Sequence, residues 1–287
     1  MATKNAKPSK STAVVPWEAE MAARAQKAAA AAKVRGLTKK ISTRGGILSI
    51  DDTPVEDNEL RVVILSAIPE NQYYISAYNP NQPAVPVCYA FGTPDADDPE
   101  ADMAPSDDVA DKQGDEDGRC AHCWANKMGS ADVGRGKACK NIYRVAVITE
   151  DALESAEDLR NAEVRMLNVP VMSVKNLTKY INKLNDDMSR PPEAVITLLK
   201  VVPDAKSQFQ VTFRFEELIN FDGDLWDAMK AKRAEVNKDL TAPYPKQEDL
   251  DAANQAKPVR AHGKLGQKMT GPGKGAAAPT KRAGGKF

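Results

Sequence analysis

Histidine is nearly missing from this 287-residue chain, which has only His122 and His262, and cysteine is scarce, at four residues. So little histidine removes most nucleophile–base and general acid–base constellations, and there is neither a Ser/His/Asp set nor a His-Glu-x-x-His element. No stretch approaches the roughly 20 apolar residues that a bilayer-crossing helix needs, and no apolar h-region marks a secretory leader. Acidic and basic side chains balance at 40 each, so no global charge announces a nucleic-acid partner. These absences predict an intracellular protein that is not an enzyme.

The cysteines that are present fall in one central stretch: Cys88, then the knuckle Cys120-Ala121-His122-Cys123, then Cys139. A Cys-x-x-Cys pair with two further cysteines can close a tetrahedral thiolate cage, at about 2.3 Å per Zn–S bond. A disulfide framework suits small, cysteine-dense secreted domains, which this is not. A thioredoxin-like pair needs a preceding strand and a following helix, but here an acidic, Gly-containing run precedes and a Gly-rich loop follows. An open catalytic site in which His122 replaces one thiolate is a further alternative, weakened by the absence of a His-x-Glu element. A closed structural Zn2+ site with Cys88, Cys120, Cys123 and Cys139 as ligands is favoured.

Charge is neutral in sum but not in distribution. Residues 95–117 carry eleven acidic side chains against Lys112 alone. Such a block buries too little apolar surface to offset the entropy of ordering and is expected to be a disordered loop. From Lys257 onward only basic charges occur, among Gly, Ala and Pro, which predicts a disordered basic tail. The Lys/Ala-rich beginning offers at best a marginal helix near Pro16. The expected organisation is a flexible segment 1–40, a core 41–240 carrying a zinc insertion at 88–140, and a tail 241–287.

Within the core, short β-branched and aromatic runs predict strands at 46–50, 60–68, 72–78, 85–91, 142–149 and 165–171, with a turn at Pro69-Glu70-Asn71. A hairpin is expected from 194–202 to 209–215. Helices are expected at 150–161, at 173–188 with Ser173 as N-cap, and at 224–238. Many strands and few helices predict an α+β, mainly β class, as a partly open barrel of the oligonucleotide-binding (OB) kind with a zinc-stapled insertion and disordered charged termini.

Around the knuckle, cations and rings alternate: Arg119, Trp124, Lys127, Arg135, Lys137, Lys140, Tyr143 and Arg144. Cations that track phosphates and rings that stack bases are the two components of sequence-tolerant single-strand binding. Tyr73, Tyr74 and Tyr78 add candidate platforms, as do Tyr89 and Phe91. Gly134-Arg135-Gly136-Lys137 lacks the Walker spacing, since Ala138 follows, so nucleotide hydrolysis is not expected.

The run Pro86-Val87-Cys88-Tyr89, the Cys120–Cys123 knuckle, Lys127-Met128-Gly129-Ser130, Gly134-Arg135-Gly136-Lys137-Ala138-Cys139 and the following Tyr143-Arg144 resemble a family of tailed-phage single-stranded DNA-binding proteins. That family is remotely similar to the zinc-containing helix-destabilising proteins of phage replication. The resemblance covers roughly residues 46–215. It implies an OB-type core, the four cysteines as metal ligands, and a role coating single-stranded DNA in replication, recombination or repair. Partners would be phage replication or recombination proteins, in the cytoplasm of the infected bacterial host. One departure stands out: such proteins often end in an acidic tail, whereas this chain ends basic. The alternative is a zinc-containing interaction or scaffold protein of the replication or packaging machinery. A metal-dependent nuclease would need carboxylates clustered in an ordered cleft.

Overall fold

The structure, a computed structural model, describes residues 40–75, 84–109, 112–114 and 117–248, together with Met21 and Arg24. The chain divides into Met1–Gln247 and Glu248–Phe287, and the description below concerns the first unit. The expected basic tail from Lys257, the marginal helix near Pro16 and the candidate Tyr78 lie outside the described residues, apart from helical Met21 and Arg24.

Nine strands form one sheet: β1 (Lys40–Ser42), β2 (Ser49–Ile50), β3 (Thr53–Pro54), β4 (Glu59–Tyr73), β5 (Cys88–Phe91), β6 (Lys140–Thr149), β7 (Arg165–Val169), β8 (Val195–Asp204) and β9 (Gln208–Leu218). Their order is β3-β2-β1-β7-β6-β4-β8-β9, with β5 paired to β4 beyond the end of β8. Among the described strands only β1 and β7 pair in parallel. Register shifts leave an extra residue in β4, Leu65 between Ile64 and Ser66, and in β9, Glu216 opposite Ile196 and Thr197, and are bulges of the kind that bend strands. The result is a mixed α+β, mainly β unit whose sheet curls into an open half-barrel. At the turn after β1, Gly46 adopts φ 78° and lies against Phe209 at the start of β9, drawing the first edge of the sheet toward the last.

Strands β4 and β6 read as nearly continuous apolar runs because both faces are buried. Val62, Ile64, Val145, Val147, Leu167, Leu199 and Val211 point to the inner face, where helix α2 (Val171–Met188) adds Leu177, Tyr180 and Leu184. Val63, Leu65, Ile68, Ala146 and Ile148 point outward, under α1 (Ala156–Asn161) and α3 (Gly223–Leu240), which contribute Leu159, Met229 and Val236. No helix among the described residues is long and apolar enough to cross a membrane.

Several local expectations change. The turn at Pro69 is absent, because β4 runs through it. Pro69 faces the β5 edge, where its carbonyl accepts from Gly92 N at 2.9 Å, so its missing N–H leaves the ladder to β6 intact. Ser173 is not an N-cap. The helix starts at Val171, and buried Ser173 accepts instead from Val211 N at 2.9 Å, capping part of the β9 edge. The helix expected over 150–161 is split into a 3-10 turn, Glu150–Leu153, and α1, because Ser155 restarts it as a cap for Asp158 N. Of the strand expected at 46–50, only Ser49–Ile50 forms.

Candidate metal centre and nucleic-acid interface

All four cysteines come together where β4, β5 and β6 leave the barrel. Cys88 opens β5 opposite Tyr73, Cys139 precedes β6, and the knuckle folds between them. Together with Asn71, Gln113 and Asn126, the four line one cavity of about 20 Å³. That is room for one atom-sized occupant. Among the described residues no three Cys, His, Asp or Glu side chains already form a metal-holding group. Cys123 Sγ lies against Gln113 O at 2.9 Å, donating to it. Burial pushes the Cys139 thiol up to about 12, helped by the neighbouring cysteines. Burial likewise raises Cys88 and Cys120, although a backbone hydrogen bond from Gln113 and the Asn71 side chain respectively oppose it. Clustered buried sulfurs that raise one another's pKa are a donor set a divalent cation suits, since the cation's charge reverses the penalty. His122 lies outside this set, exposed and paired with Asp117.

The acidic segment does not run free where it is described. Ser106 N donates to Tyr89 O and Cys120 N to Met103 O, each at 2.9 Å, while Met103 and Val109 are buried. Asp95 accepts from Asn237 Nδ2 at 2.7 Å and pairs with Arg233, both on α3. The expectation of a disordered loop is corrected for these residues: two buried apolar side chains and backbone bonds to Tyr89 of β5 and to Cys120 lay the segment against the fold, with its carboxylates outside.

The basic loop is ordered by Ser130, which donates to Lys127 O at 2.7 Å and accepts from Ala138 N at 2.9 Å. Gly129 and Gly134 take left-handed φ values of 86° and 85°, which glycine adopts freely. Lys127, Arg135, Lys137 and Lys140 are exposed. Lys137 Nζ is steadied by Asn126 and Asn141 at 2.9 and 2.8 Å. Trp124, 47% exposed, meets Tyr73 edge-on with ring centroids 5.6 Å apart. On the opposite side of the strand, Lys140 lies over the Tyr74 ring at 5.1 Å. Burial raises the Tyr74 hydroxyl to about 12. Arg119 is exposed and reaches Asp102 at 3.5 Å.

Three candidates are taken by the fold. Arg144 is correctly placed on β6 but is not available to a phosphate. Its Nε and Nη2 donate to Glu70 at 3.1 and 3.0 Å, and its Nη1 to Leu240 O and Ala242 O. Burial opposes its charge, yet Glu70 beside it raises its pKa. Glu70 is fully buried and also accepts from Gln72 Nε2 and Tyr244, so this network fastens the segment after α3 onto the sheet. Tyr143 is half-buried against the inner core, and burial raises its pKa. Tyr89 is core.

The candidates therefore split between two faces. Tyr73, Trp124 and Lys137 gather with the cysteines on the inner side, and Tyr74 with Lys140 on the outer side. The sequence reading missed Asn71, Asn126 and Asn141, whose mutual hydrogen bonds tie the knuckle to the sheet. Their signal was positional, since Asn126 and Asn141 follow Cys123 and Cys139 within three residues. Comparison with known proteins gave no match: no family model fits the chain, and no curated protein or solved structure is significantly similar to it.

Proposed function

We propose that this protein binds single-stranded DNA, without catalysis, through an OB-like barrel whose first loop is held by a structural zinc ion. The observation that carries this reading is the strand order. Taken alone, β9-β8-β4-β6-β7 with α2 between β7 and β8 corresponds to 5-4-1-2-3 with a helix between the third and fourth strands, the Greek-key arrangement of the OB barrel. In that arrangement oligonucleotides bind across strands 2 and 3 and the loops joining 1 to 2 and 4 to 5. Residues 74–139 are then the first of those loops, and they hold the cysteines, Trp124 and the exposed cations.

Cys88, Cys120, Cys123 and Cys139 would hold the zinc, which supplies a cross-link and no reaction step. The chain's own residues do the rest. Ser130 and the two left-handed glycines present Lys127, Arg135 and Lys137 to a phosphate backbone, and Trp124 offers a face for a base. The resemblance to tailed-phage single-stranded DNA-binding proteins points the same way, and with it to a role in phage replication, recombination or repair in the infected host.

The test is titration of the zinc-quantified full chain with oligo-dT and with matched duplex at two salt concentrations, following tryptophan emission in the wild type and in Trp124→Phe. Quenching by the single strand, little by the duplex, and affinity falling with salt at about 0.7 log units per phosphate contacted are expected. Absence of binding at full zinc occupancy would sink the proposal in favour of the scaffold reading.

A further inference from the structure

A large concavity among the described residues lies away from the cysteines. It is an open trough of about 910 Å³ lined by Lys40, Ser42, Ser49, Pro54, Met166 and Asn168 on its floor, and by Arg44, Ile47 and Phe209 on its walls. The register explains the floor. Ile41, Ile50 and Leu167 belong to the inner core, so their alternating neighbours on β1, β2 and β7 must face outward. Ser42 stands opposite Ser49, Ser49 opposite Pro54, and Lys40 opposite Met166. Small hydroxyls, an amide and one cation thus pave the outer face of this corner of the sheet, beside the part that α1 and α3 cover.

We propose that this trough carries the continuation of a bound single strand, with Lys40 on a phosphate and Asn168, Ser42 and Ser49 contacting the sugar-phosphate chain or base edges. The assignment rests on the single-strand reading above. Three features support it. The trough is wide and shallow, whereas sites for small molecules enclose most of their ligand. Lys40 is exposed and makes no ion pair among the described residues; desolvation lowers its pKa, Arg144 and Arg44 lower it further, and Glu70 opposes. Finally, the trough shares the outer face with Lys140 and Tyr74. Lys40 lies at the register of Ala146, two strands from β6. At about 3.3 Å per residue and about 4.8 Å between strands, that puts it roughly 20 Å from Lys140, a span that several nucleotides bridge. Asp51 and Asp52, left-handed at the β2–β3 turn, close the trough with negative charge and set the far limit of the track.

The experiment is fluorescence anisotropy with labelled dT20 on the zinc-loaded full chain, comparing Lys40→Glu, Lys40→Gln and Ser49→Glu with Lys179→Glu. Lys179 is an exposed lysine of α2, and its change to Glu alters net charge as much as Lys40→Glu does. Lys40→Glu and Ser49→Glu should each weaken binding roughly tenfold, Lys179→Glu less than about twofold, and Lys40→Gln should lower the salt slope by about 0.7. Lys40→Gln removes charge with little change of shape and serves if Lys40→Glu melts abnormally. If the trough variants match Lys179→Glu while wild type binds, the trough is not on the path and the single-strand reading stands. If wild type at full zinc does not bind, both fall.

Discussion

The barrel and the insertion between β4 and β6 are built on different principles. In the barrel, β4 and β6 are buried on both faces, and two apolar layers made of Val, Ile and Leu hold α1, α2 and α3. In the insertion the buried apolar set shrinks to two small clusters, Cys88, Tyr89 and Val109 in one, Ala90, Met103 and Cys120 in the other. So little core does not normally hold a segment of this length without a staple. The burial of three cysteines and the half-burial of the fourth fits that need. The comparison predicts an asymmetry: the insertion depends on the barrel and on the metal cross-link proposed for its cysteines, whereas the barrel does not depend on the insertion.

Removing the staple should have the largest effect. Cys120→Ser with Cys123→Ser takes half of the thiol set, and structural zinc contributes about 10–16 kcal/mol of apparent binding energy in small peptides. Bound zinc should fall from one per chain to none, amide protection across 84–139 should collapse, and the helical signal of α2 and α3 should persist. Protection that survives metal loss would show that backbone bonds to β5 and the burial of Met103 and Val109 suffice alone.

Breaking the barrel should instead take both regions down. Leu199 is fully buried in the inner layer, and Leu199→Ala leaves a cavity worth about 2–5 kcal/mol. Because β5 pairs with β4 and Cys139 adjoins β6, exchange in 84–139 should accelerate together with that of β4 and β6. Acceleration confined to the barrel would contradict the dependence.

How far each region was legible in the sequence follows the same division. The barrel's strands and helices announced themselves through periodicity, and the hairpin β8–β9 and helix α3 fall close to where Val, Ile and Leu spacing puts them. What misled was local chemistry with a tertiary use. Pro69 reads as a turn but sits in the stretch of β4 between its β8 and β5 ladders, where a missing N–H costs no ladder bond, and Ser173 reads as a cap but serves β9. In the insertion, the cysteines were visible as a set, yet their partners were not. Arg144 carries the same letter whether it meets a phosphate or a buried Glu70, and only the fold places Glu70 beneath it. The trough was invisible for another reason: Lys40, Ser49 and Asn168 have no motif, and only strand pairing makes them neighbours.

A surface change in the insertion should alter binding and leave stability alone. Trp124 contacts Tyr73 but is exposed on its other side, so Trp124→Ala should weaken oligo-dT binding by about 1–3 kcal/mol, the contribution of one stacked base. The melting temperature should stay within a degree or two of wild type. A large fall in stability with unchanged affinity would reassign Trp124 to packing.

The smallest effect tests whether the two regions melt as one. Ser155 Oγ accepts from Asp158 N at 3.1 Å and starts α1, a six-residue helix whose Leu159 is fully buried on the outer layer. Ser155→Ala removes this cap at a cost of about 1 kcal/mol, or about 2–4 °C in a chain of this size. The site is in the barrel layer that never touches the cysteines, so zinc content and oligo-dT affinity should not change. Hydrogen exchange then separates two cases that global melting cannot. If amides in 84–139 exchange through unfolding of the whole unit, their protection falls by the same 1 kcal/mol as that of β4. If they exchange through local opening of the insertion, their protection stays at the wild-type value while that of β4 drops. The first outcome is the one expected from an insertion that depends on the barrel, since β5 pairs with β4 and Cys139 adjoins β6.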